Sequence, residues 1–392
     1  MIWDLAVVGA GPAGAATAIG AMRADPSLKV VLLDRADFPR DKACGDGIAP
    51  HVIDLLEDAG VTGIVDDRVP VPRLRLSRGG LSADRDMARP TFVVPRTVFD
   101  HRLVEAAQFA GAELVRHRVR TVDDTGSELA VDDTFRARVI VGADGAHSVV
   151  RRALGIAPGP MAVALRGYAP VPSGREAAQV IVFDTMRRSA YAWSFDRGDG
   201  IANVGYGEIL DHRRRRPTKA CLLERLDALL PDAAARGFDW RGHQLPLSSG
   251  AWRPVDGRIL LAGDAAGLVN PLTGEGIYYA VATGLAAGRA AANAVAAGEP
   301  ADAGARYRRQ TAPILDSHLR HIQVAARLCR SGAVIDAGLR SSAADQRVFD
   351  DLVELGLARG KISGTVVRGL AQGMFGRARG HGATHHKEGE EP

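Results

Sequence analysis

Asp4-Leu-Ala-Val-Val-Gly-Ala-Gly-Pro-Ala-Gly-Ala-Ala-Thr-Ala-Ile-Gly-Ala21 reads as a buried strand, a glycine turn and the opening of a helix in immediate succession. Gly9 permits the tight turn, Gly11 lets the backbone approach a pyrophosphate with no Cβ in the way, and Gly14 lets the helix pack closely on the strand. The helix that starts near Pro12 aims its free N–H groups and positive dipole end at an anion. The run Lys29-Val-Val-Leu-Leu-Asp34 adds a second strand ending in a carboxylate. Asp34 is therefore the candidate ribose ligand, with Arg35 beside it at the same strand end. A glycine turn that binds nothing is the competing reading, and the strand, helix and distal acid together count against it.

The chain has 392 residues, 46% hydrophobic and 24% charged. That length suits two domains with ample apolar material for a core, and that composition describes an ordinary soluble protein. No signal-peptide pattern precedes the first strand, and the Ala-rich stretch from Ala280 to Ala297 carries Arg289 and Asn293. It reads as a packed helix and not a membrane span, so the expected location is cytoplasmic. Cys44, Cys221 and Cys329 are an odd number without metal-ligand spacing, which fits a reducing compartment and predicts no metal. The formal charge is +4, and His212-Arg-Arg-Arg-Arg216, just before Pro217, holds much of it. That run reads first as a solvated loop. It has no interleaved aromatics, so no nucleic-acid partner is expected, and peripheral contact with anionic lipid stays open. Gly380 to Pro392 is polar with an acidic end, and disorder is expected over 378–392.

Downstream, Phe38-Pro-Arg-Asp-Lys-Ala-Cys-Gly-Asp-Gly47 is a loop of turn formers and charge where a ligand would lie, followed by an amphipathic helix from Pro50 to Ala59. A second helix is expected over Asp100 to Gly111, with Arg96 just ahead of it. Strands fill 113–141, with a hairpin around Asp123-Asp-Thr-Gly126, and Arg138-Val-Ile-Val-Gly-Ala-Asp-Gly145 is a buried strand running into small residues, with Asp144 as a further polar contact. Between Ala162 and Glu208 the pattern changes to period two, as in Gln179-Val-Ile-Val-Phe183 and Tyr191-Ala-Trp-Ser-Phe195, which predicts an antiparallel sheet. A helix carrying Leu222, Leu223, Leu226, Leu229 and Leu230 covers it. The chain then returns: Arg258-Ile-Leu-Leu-Ala-Gly-Asp-Ala-Ala-Gly267 is a strand into a small-residue turn, and Gly274-Glu-Gly-Ile277 opens the Ala-rich helix. Asp264 is placed to hold ribityl or ribose hydroxyls, and the amides around Gly276 and Ile277 to stabilise negative charge on a flavin ring. Three returns to one site demand a large cofactor, and no second GxGxxG exists for a separate nicotinamide nucleotide.

Gly9-Ala-Gly-Pro-Ala-Gly14, Gly142-Ala-Asp-Gly-Ala-His-Ser-Val-Val-Arg151 and Ala262-Gly-Asp-Ala-Ala-Gly267 together resemble the three FAD-binding motifs of the flavoprotein hydroxylase-like superfamily. Arg40-Asp-Lys-Ala-Cys-Gly-Asp-Gly47, and Tyr191-Ala-Trp-Ser-Phe-Asp196 with the later Gly205-Tyr-Gly207, look like the geranylgeranyl reductase family, including the branch that saturates menaquinone side chains. The resemblance extends to about residue 375. It implies an α/β fold in which a Rossmann-like FAD-binding domain (1–70, 96–160, 250–300) is interleaved with an antiparallel-sheet substrate domain (71–95, 161–249), followed by C-terminal helices over 301–377. It also implies FAD contacts at Ala13, Asp34, Cys44, Gly45, Gly47, Arg96, Val119, Asp264, Gly276 and Ile277, and a lipid-holding role for Tyr191 and Trp193. The family usually has proline where this chain has Asp196. No lysine stands where the related halogenases place their catalytic one.

The resemblance implies reduction of carbon–carbon double bonds in a prenyl or other hydrophobic substrate, with electrons from NAD(P)H or another reduced carrier. The alternative in the same superfamily is an FAD-dependent monooxygenase that hydroxylates or epoxidises a hydrophobic metabolite. Two readings of Cys44 stand. Lys42 and Arg40 nearby favour a reactive thiolate and a proton-donor role, whereas a lone cysteine in a tight loop is also ordinary packing. Tyr191, Trp193 and Phe195 share one face of a strand and form either an aromatic wall over the flavin, with Gly205 and Gly207 beside them, or the core of the sheet. Arg96 is a flavin contact or a surface ion-pair residue.

Overall fold

The computed structural model describes residues 1–126, 128–211, 213–250 and 252–375. The tail at 378–392 and His212 of the arginine run lie outside them. The chain opens with β1 (Ile2–Val8), α1 (Pro12–Ala24), β2 (Val30–Asp34), β3 (Gly47–Ile48) and α2 (Pro50–Asp58). A hairpin of β4 (Pro70–Arg78) and β5 (Leu81–Val93) leads into α3 (Arg96–Phe109), β6 (Glu113–Arg116), β7 (Val122–Asp124), β8 (Leu129–Val131), β9 (Phe135–Gly142) and α4 (Val149–Ala153). Next come β10 (Met161–Pro170), β11 (Ala178–Phe183), β12 (Ala190–Asp196), β13 (Ile201–Ile209), α5 (Lys219–Leu229) and β14 (Phe238–Pro246). The chain continues with β15 (Ile259–Leu261), α6 (Ile277–Ala296), α7 (Ala303–Leu328), α8 (Gly332–Ala344), α9 (Gln346–Leu357) and α10 (Gly364–Phe375).

Among the described residues the strands form two sheets. The first runs β6-β2-β1-β9, with β15 and the β8–β7 hairpin both beyond β9. β1 pairs in parallel with β2 and β9, β2 with β6, and β9 with β15. Every residue of β2 is buried, as expected for a parallel strand covered on both faces, and this is why Val30 to Leu33 is an unbroken apolar run. The second sheet runs β14-β10-β13-β12-β11-β4-β5-β3. Its pairings are antiparallel except for β4 with β11, which run parallel. A purely antiparallel sheet was the expectation. The parallel seam arises because β4 and β11 belong to separate excursions of the chain, joined through the first sheet and not by a turn. β3, in the segment assigned by sequence to the nucleotide unit, pairs with β5 at Gly47 and Ile48, so the Cys44 loop is stitched to the second sheet.

Helix α3 begins at Arg96, four residues before the expected start. Pro95 occupies its N-cap position, and the first turn is closed by a buried i,i+4 pair in which Arg96 Nε donates to Asp100 Oδ1 at 2.6 Å and Nη2 to Oδ2 at 2.7 Å. Arg96 is thus neither ahead of the helix nor on the surface. Helices α8 and α9 lie against the β4–β5 side of the second sheet, and α10 packs on α8 and α9.

The Ala-rich helix α6 lies on α1 with backbones nearly touching. A Cβ on Gly284 would fall 2.3 Å from the Ala13 carbonyl oxygen, one on Gly288 2.0 Å from that of Thr17, and one on Gly20 2.5 Å from that of Leu285. Small residues here are a steric requirement of helix contact, so the composition that rules out a membrane span is explained by packing. Gly288→Val is expected to force α1 and α6 apart, at a cost of about 1–3 kcal/mol or more. Thermal unfolding reads this as a lowered Tm, and an unchanged Tm would mean that the contact is not tight.

Candidate active site

The N-termini of α1 and α6 open into one cavity of about 1710 Å³ lined by residues of both sheets and the C-terminal helices. At its cofactor end lies the glycine turn. Gly9 has φ +97°, and a Cβ there would sit 2.5 Å from the Ala143 carbonyl oxygen; one on Gly14 would sit 1.7 Å from the oxygen of Gly9. Gly11, by contrast, faces only the tip of Arg40, 3.2 Å from its Cβ position. The N-terminus of α1 has no side-chain cap, and Gly9, Gly11, Pro12 and Ala13 line the cavity. A cradle with exposed N–H groups and no Cβ fits a pyrophosphate. Asp34 takes N–H groups from Ala10 (Oδ2, 2.8 Å) and Ala36 (Oδ1, 2.9 Å), so its carboxylate fixes the turn while lining the cavity beside Arg35 and Val119. Asp144 lines it too, but its Oδ2 accepts the N–H groups of Val149 (2.6 Å) and Val150 (3.3 Å). One oxygen of Asp144 is therefore committed to holding α4, which the sequence reading did not anticipate.

At the second helix N-terminus, Gly274, Gly276 and Ile277 line the cavity with Asp264. Lys42 Nζ binds Asp264 Oδ2 at 2.9 Å. Burial alone would raise the Asp264 pKa, but the Lys42 ammonium outweighs it and holds the carboxylate below its usual range. Arg40 reaches back to Asp100 (3.3 Å) and Asp34 (3.8 Å). Lys42 and Arg40 thus turn away from Cys44, and the thiolate reading fails. Burial raises the Cys44 pKa despite the facing Arg96 guanidinium, so the side chain is a neutral thiol. Arg40 and Lys42 are cavity-lining cations that sequence reasoning treated only as neighbours of the cysteine. The density of charge in 40–46 was the signal for them.

Cys44, Gly45 and Gly47 line the middle of the cavity opposite Tyr191, Trp193 and Phe195. The three rings step along β12 with centroids 6.1 and 6.5 Å apart, and they form a wall of the cavity, not an interior layer of the sheet. The Tyr191 hydroxyl donates to the Thr273 carbonyl. Gly207 lines the cavity, whereas Gly205 stands behind the indole: a Cβ on it would fall 2.2 Å from Trp193 Cζ2. Gly205 therefore acts on Trp193 and not on a substrate. Asp196 is buried and spends its oxygens on Ala177 N–H (2.7 Å) and Gly198 N–H (2.8 Å). The acid at the family's proline position ends a strand and leaves the cavity's polarity unchanged.

One residue that sequence reading missed joins the two walls. Asn203, fully buried on β13, accepts the Trp193 indole N–H at 2.8 Å through Oδ1 and donates through Nδ2 to the Cys44 carbonyl and to Asp46 Oδ2, both at 2.8 Å. Asp46 Oδ2 also accepts the Tyr168 hydroxyl at 2.8 Å, while Oδ1 has no partner. Burial outweighs these bonds and the Arg166 charge and pushes Asp46 up to about 6. Glu275, between the flanking glycines, accepts the Tyr278 N–H at 2.9 Å, and burial lifts it to about 7. His243, buried and facing the Lys42 charge, falls to about 4 and is neutral. The middle of the cavity thus presents a neutral thiol and a carboxyl group poised near neutrality, both able to hold a proton.

Beyond the aromatic wall the cavity continues as an apolar arm between β4, β5 and β11 on one side and α8–α10 on the other, past Leu74, Met87, Ile181, Leu339 and Leu370. Its total volume exceeds the roughly 300–1,000 Å³ of pockets for a single drug-sized ligand. A dinucleotide cofactor and a second, elongated molecule can occupy it together.

Residues 3–314 match the family model described as FAD binding domain. The chain is 34% identical over 358 residues to a menaquinone reductase of Mycolicibacterium smegmatis, covering 83% of each chain. It is 31% identical over 322 residues to a digeranylgeranylglycerophospholipid reductase of Methanopyrus kandleri, covering 75% of this chain and 78% of that one. In fold it is similar to a geranylgeranyl bacteriochlorophyll reductase-like protein of Thermoplasma acidophilum, with a TM-score of 0.77 at 19% identity over 95% of this chain and 96% of that one.

Because the Glu275 pKa in the folded chain lies near 7, above its ordinary 4.5, its contribution to stability is fully present below pH 4.5 and is lost as pH rises through 7. In cofactor-free protein, Glu275→Gln is expected to remove this loss, which amounts to about 3 kcal/mol for a shift of that size. Urea denaturation at pH 5 and pH 8 checks it: the variant should show the smaller fall in midpoint between the two, and equal falls would place the Glu275 pKa near its ordinary value.

Proposed function

The chain belongs to the FAD binding domain family, within its geranylgeranyl reductase branch, and from that premise we propose that it reduces carbon–carbon double bonds in a prenyl chain or a similarly long apolar substrate. The observation that carries this reading is the apolar arm, which begins at the aromatic wall and leads away from the cofactor end without meeting an unpaired charge before its rim. FAD, when bound, supplies the hydride that goes to one alkene carbon. The residues of the chain do the rest. The glycine turn and the α1 N-terminus hold the pyrophosphate, and Asp34 and Asp264 hold hydroxyls. Tyr191, Trp193 and Phe195 press one face of the substrate, and Asn203 fixes the indole against the Cys44 loop.

The second alkene carbon needs a proton, and Cys44 carries one at Sγ because burial keeps the thiol neutral. Glu275, with its pKa near 7, is a reserve from which a thiolate can be reprotonated. Reducing equivalents come from NAD(P)H or another reduced carrier, and substrate comes from a membrane that the protein touches peripherally. Among the described residues no helix is long and apolar enough to cross a membrane.

The purified protein is expected to be yellow, and Gly11→Val or Asp264→Ala to lose the colour while staying folded by circular dichroism. Anaerobically reduced enzyme mixed with a polyprenyl substrate should reoxidise and yield a saturated product. A strict requirement for oxygen, with oxygen in the product, would assign it to the oxygenases instead. Cys44→Ser should keep its FAD and slow substrate-dependent reoxidation by about 100-fold or more, and an unchanged rate would make Cys44 a packing residue.

A further inference from the structure

The far end of the apolar arm has a rim of unusual composition. Leu328 at the end of α7 and Val367 and Met374 on α10 line the cavity, yet they are 47%, 56% and 49% exposed. They therefore mark an opening. On α10 the spacing Val367, Leu370, Ala371, Met374 makes a continuous apolar stripe along the cavity, while the opposite side of the helix packs on α8 through Gly369 and Gly373.

Three elements meet at this end. Gly332 at the start of α8 sits against the Arg78 guanidinium, which binds Asp336 at 2.7 Å. Gly79 approaches Thr185 in the β11–β12 turn. That turn places Met186, 91% exposed, next to Arg187 and Arg188. α10 runs antiparallel to α8, since Gly369 contacts Ser341 and Gly373 contacts Ala337, so its Met374 end returns to the same place.

Charge completes the pattern. Arg188 and Arg330 line the cavity and are exposed, Arg327 is exposed in the last turn of α7 next to Leu328, and among the described residues no carboxylate lies within ion-pair distance of them. Arg187 is shared with Glu208 at 3.8 Å, and Arg78 is taken by Asp336. A long apolar substrate that enters here through water would be exposed along its whole length, at a cost that grows with each methylene. Exposed apolar side chains ringed by unpaired arginines are the composition of an interfacial membrane contact.

We propose that this rim, formed by the end of α7, the apolar stripe of α10 and the β11–β12 turn, docks on a bilayer containing anionic lipid, so that the apolar arm opens into the acyl region. The arginine run at 213–216 is not this surface. It precedes α5, which packs on the β12–β13 pair, and none of its residues lines the cavity. The proposal rests on the reading of the arm as a substrate channel, and its test is independent of turnover.

FAD-loaded full-length protein would be sedimented with vesicles of phosphatidylcholine alone and of phosphatidylcholine with phosphatidylglycerol. The protein should partition onto the anionic vesicles and be released by salt. Replacing Arg188, Arg327 and Arg330 together by Gln should weaken partitioning by about 100-fold, at about fivefold per arginine. Leu328→Glu with Met374→Glu should abolish binding, and the same three-Gln replacement at Arg213, Arg214 and Arg215 should leave it unchanged. The flavin spectrum and Tm of each variant establish that it is folded. Loss of binding only in the 213–215 variant, no binding by the parent protein, or a dimer in solution that the Glu variants dissociate would each overturn the proposal. Reoxidation with substrate in detergent micelles separates the two ideas: if it proceeds while vesicle binding fails, the docking surface falls and the reductase reading stands.

Discussion

The approach of α6 to α1 is the constraint on which the rest of the molecule depends. Gly20, Gly284 and Gly288 let the two helices lie backbone against backbone, and this fixes their N-termini at one end of the nucleotide sheet. Neither cap residue supplies a side-chain bond: α1 leaves its first N–H groups available to a ligand, while Glu275 at the head of α6 takes the Tyr278 N–H. The α1 end lines the cavity at Gly11, a cradle that fits a pyrophosphate, and the α6 end faces the middle of the cavity at Gly276 and Ile277. A larger side chain in the contact would move one terminus relative to the other, and the two would no longer serve a single cofactor.

The second requirement is electrostatic. Residues 40–46 crowd two cations and two acids into a loop between the sheets, and each charge is given a partner from a different element. Arg40 goes to Asp100 and Asp34, Lys42 to Asp264, and Asp41 to Arg166. Partly buried pairs of this kind add little net stability, because desolvation offsets much of the attraction. Their effect here is to fix the loop in one geometry. Asp46 sits in the left-handed region at φ +59° and reaches Asn203 and Tyr168, and Asn203 carries that constraint to Trp193. The position of the cysteine and that of the indole are therefore one structural fact.

The C-terminal helices serve a different purpose from the nucleotide sheet. α8 and α9 close one side of the apolar arm against β4 and β5, and α10 leaves an apolar stripe along the opening. Their inward faces are packed, Phe349 and Leu339 being almost wholly buried.

The local pattern of the sequence determined the nucleotide unit. A strand, a glycine turn, a helix and a distal acid within 34 residues depend only on chain-neighbour geometry, and each is visible in residue type and spacing. The aromatic triplet at 191, 193 and 195 was legible for the same reason, since period two fixes a shared face. What only the tertiary structure decided were contacts between residues far apart in the chain. Burial, and not the adjacent lysine and arginine, set the state of Cys44. Lys42 chose Asp264, 222 residues away. β4 met β11 in parallel because two excursions converged. Asn203, a fully buried polar residue of β13, became the link between both walls. Such roles depend on which groups a site excludes from water and which it brings within 3 Å, and neither quantity is encoded in the spacing of a single chain segment.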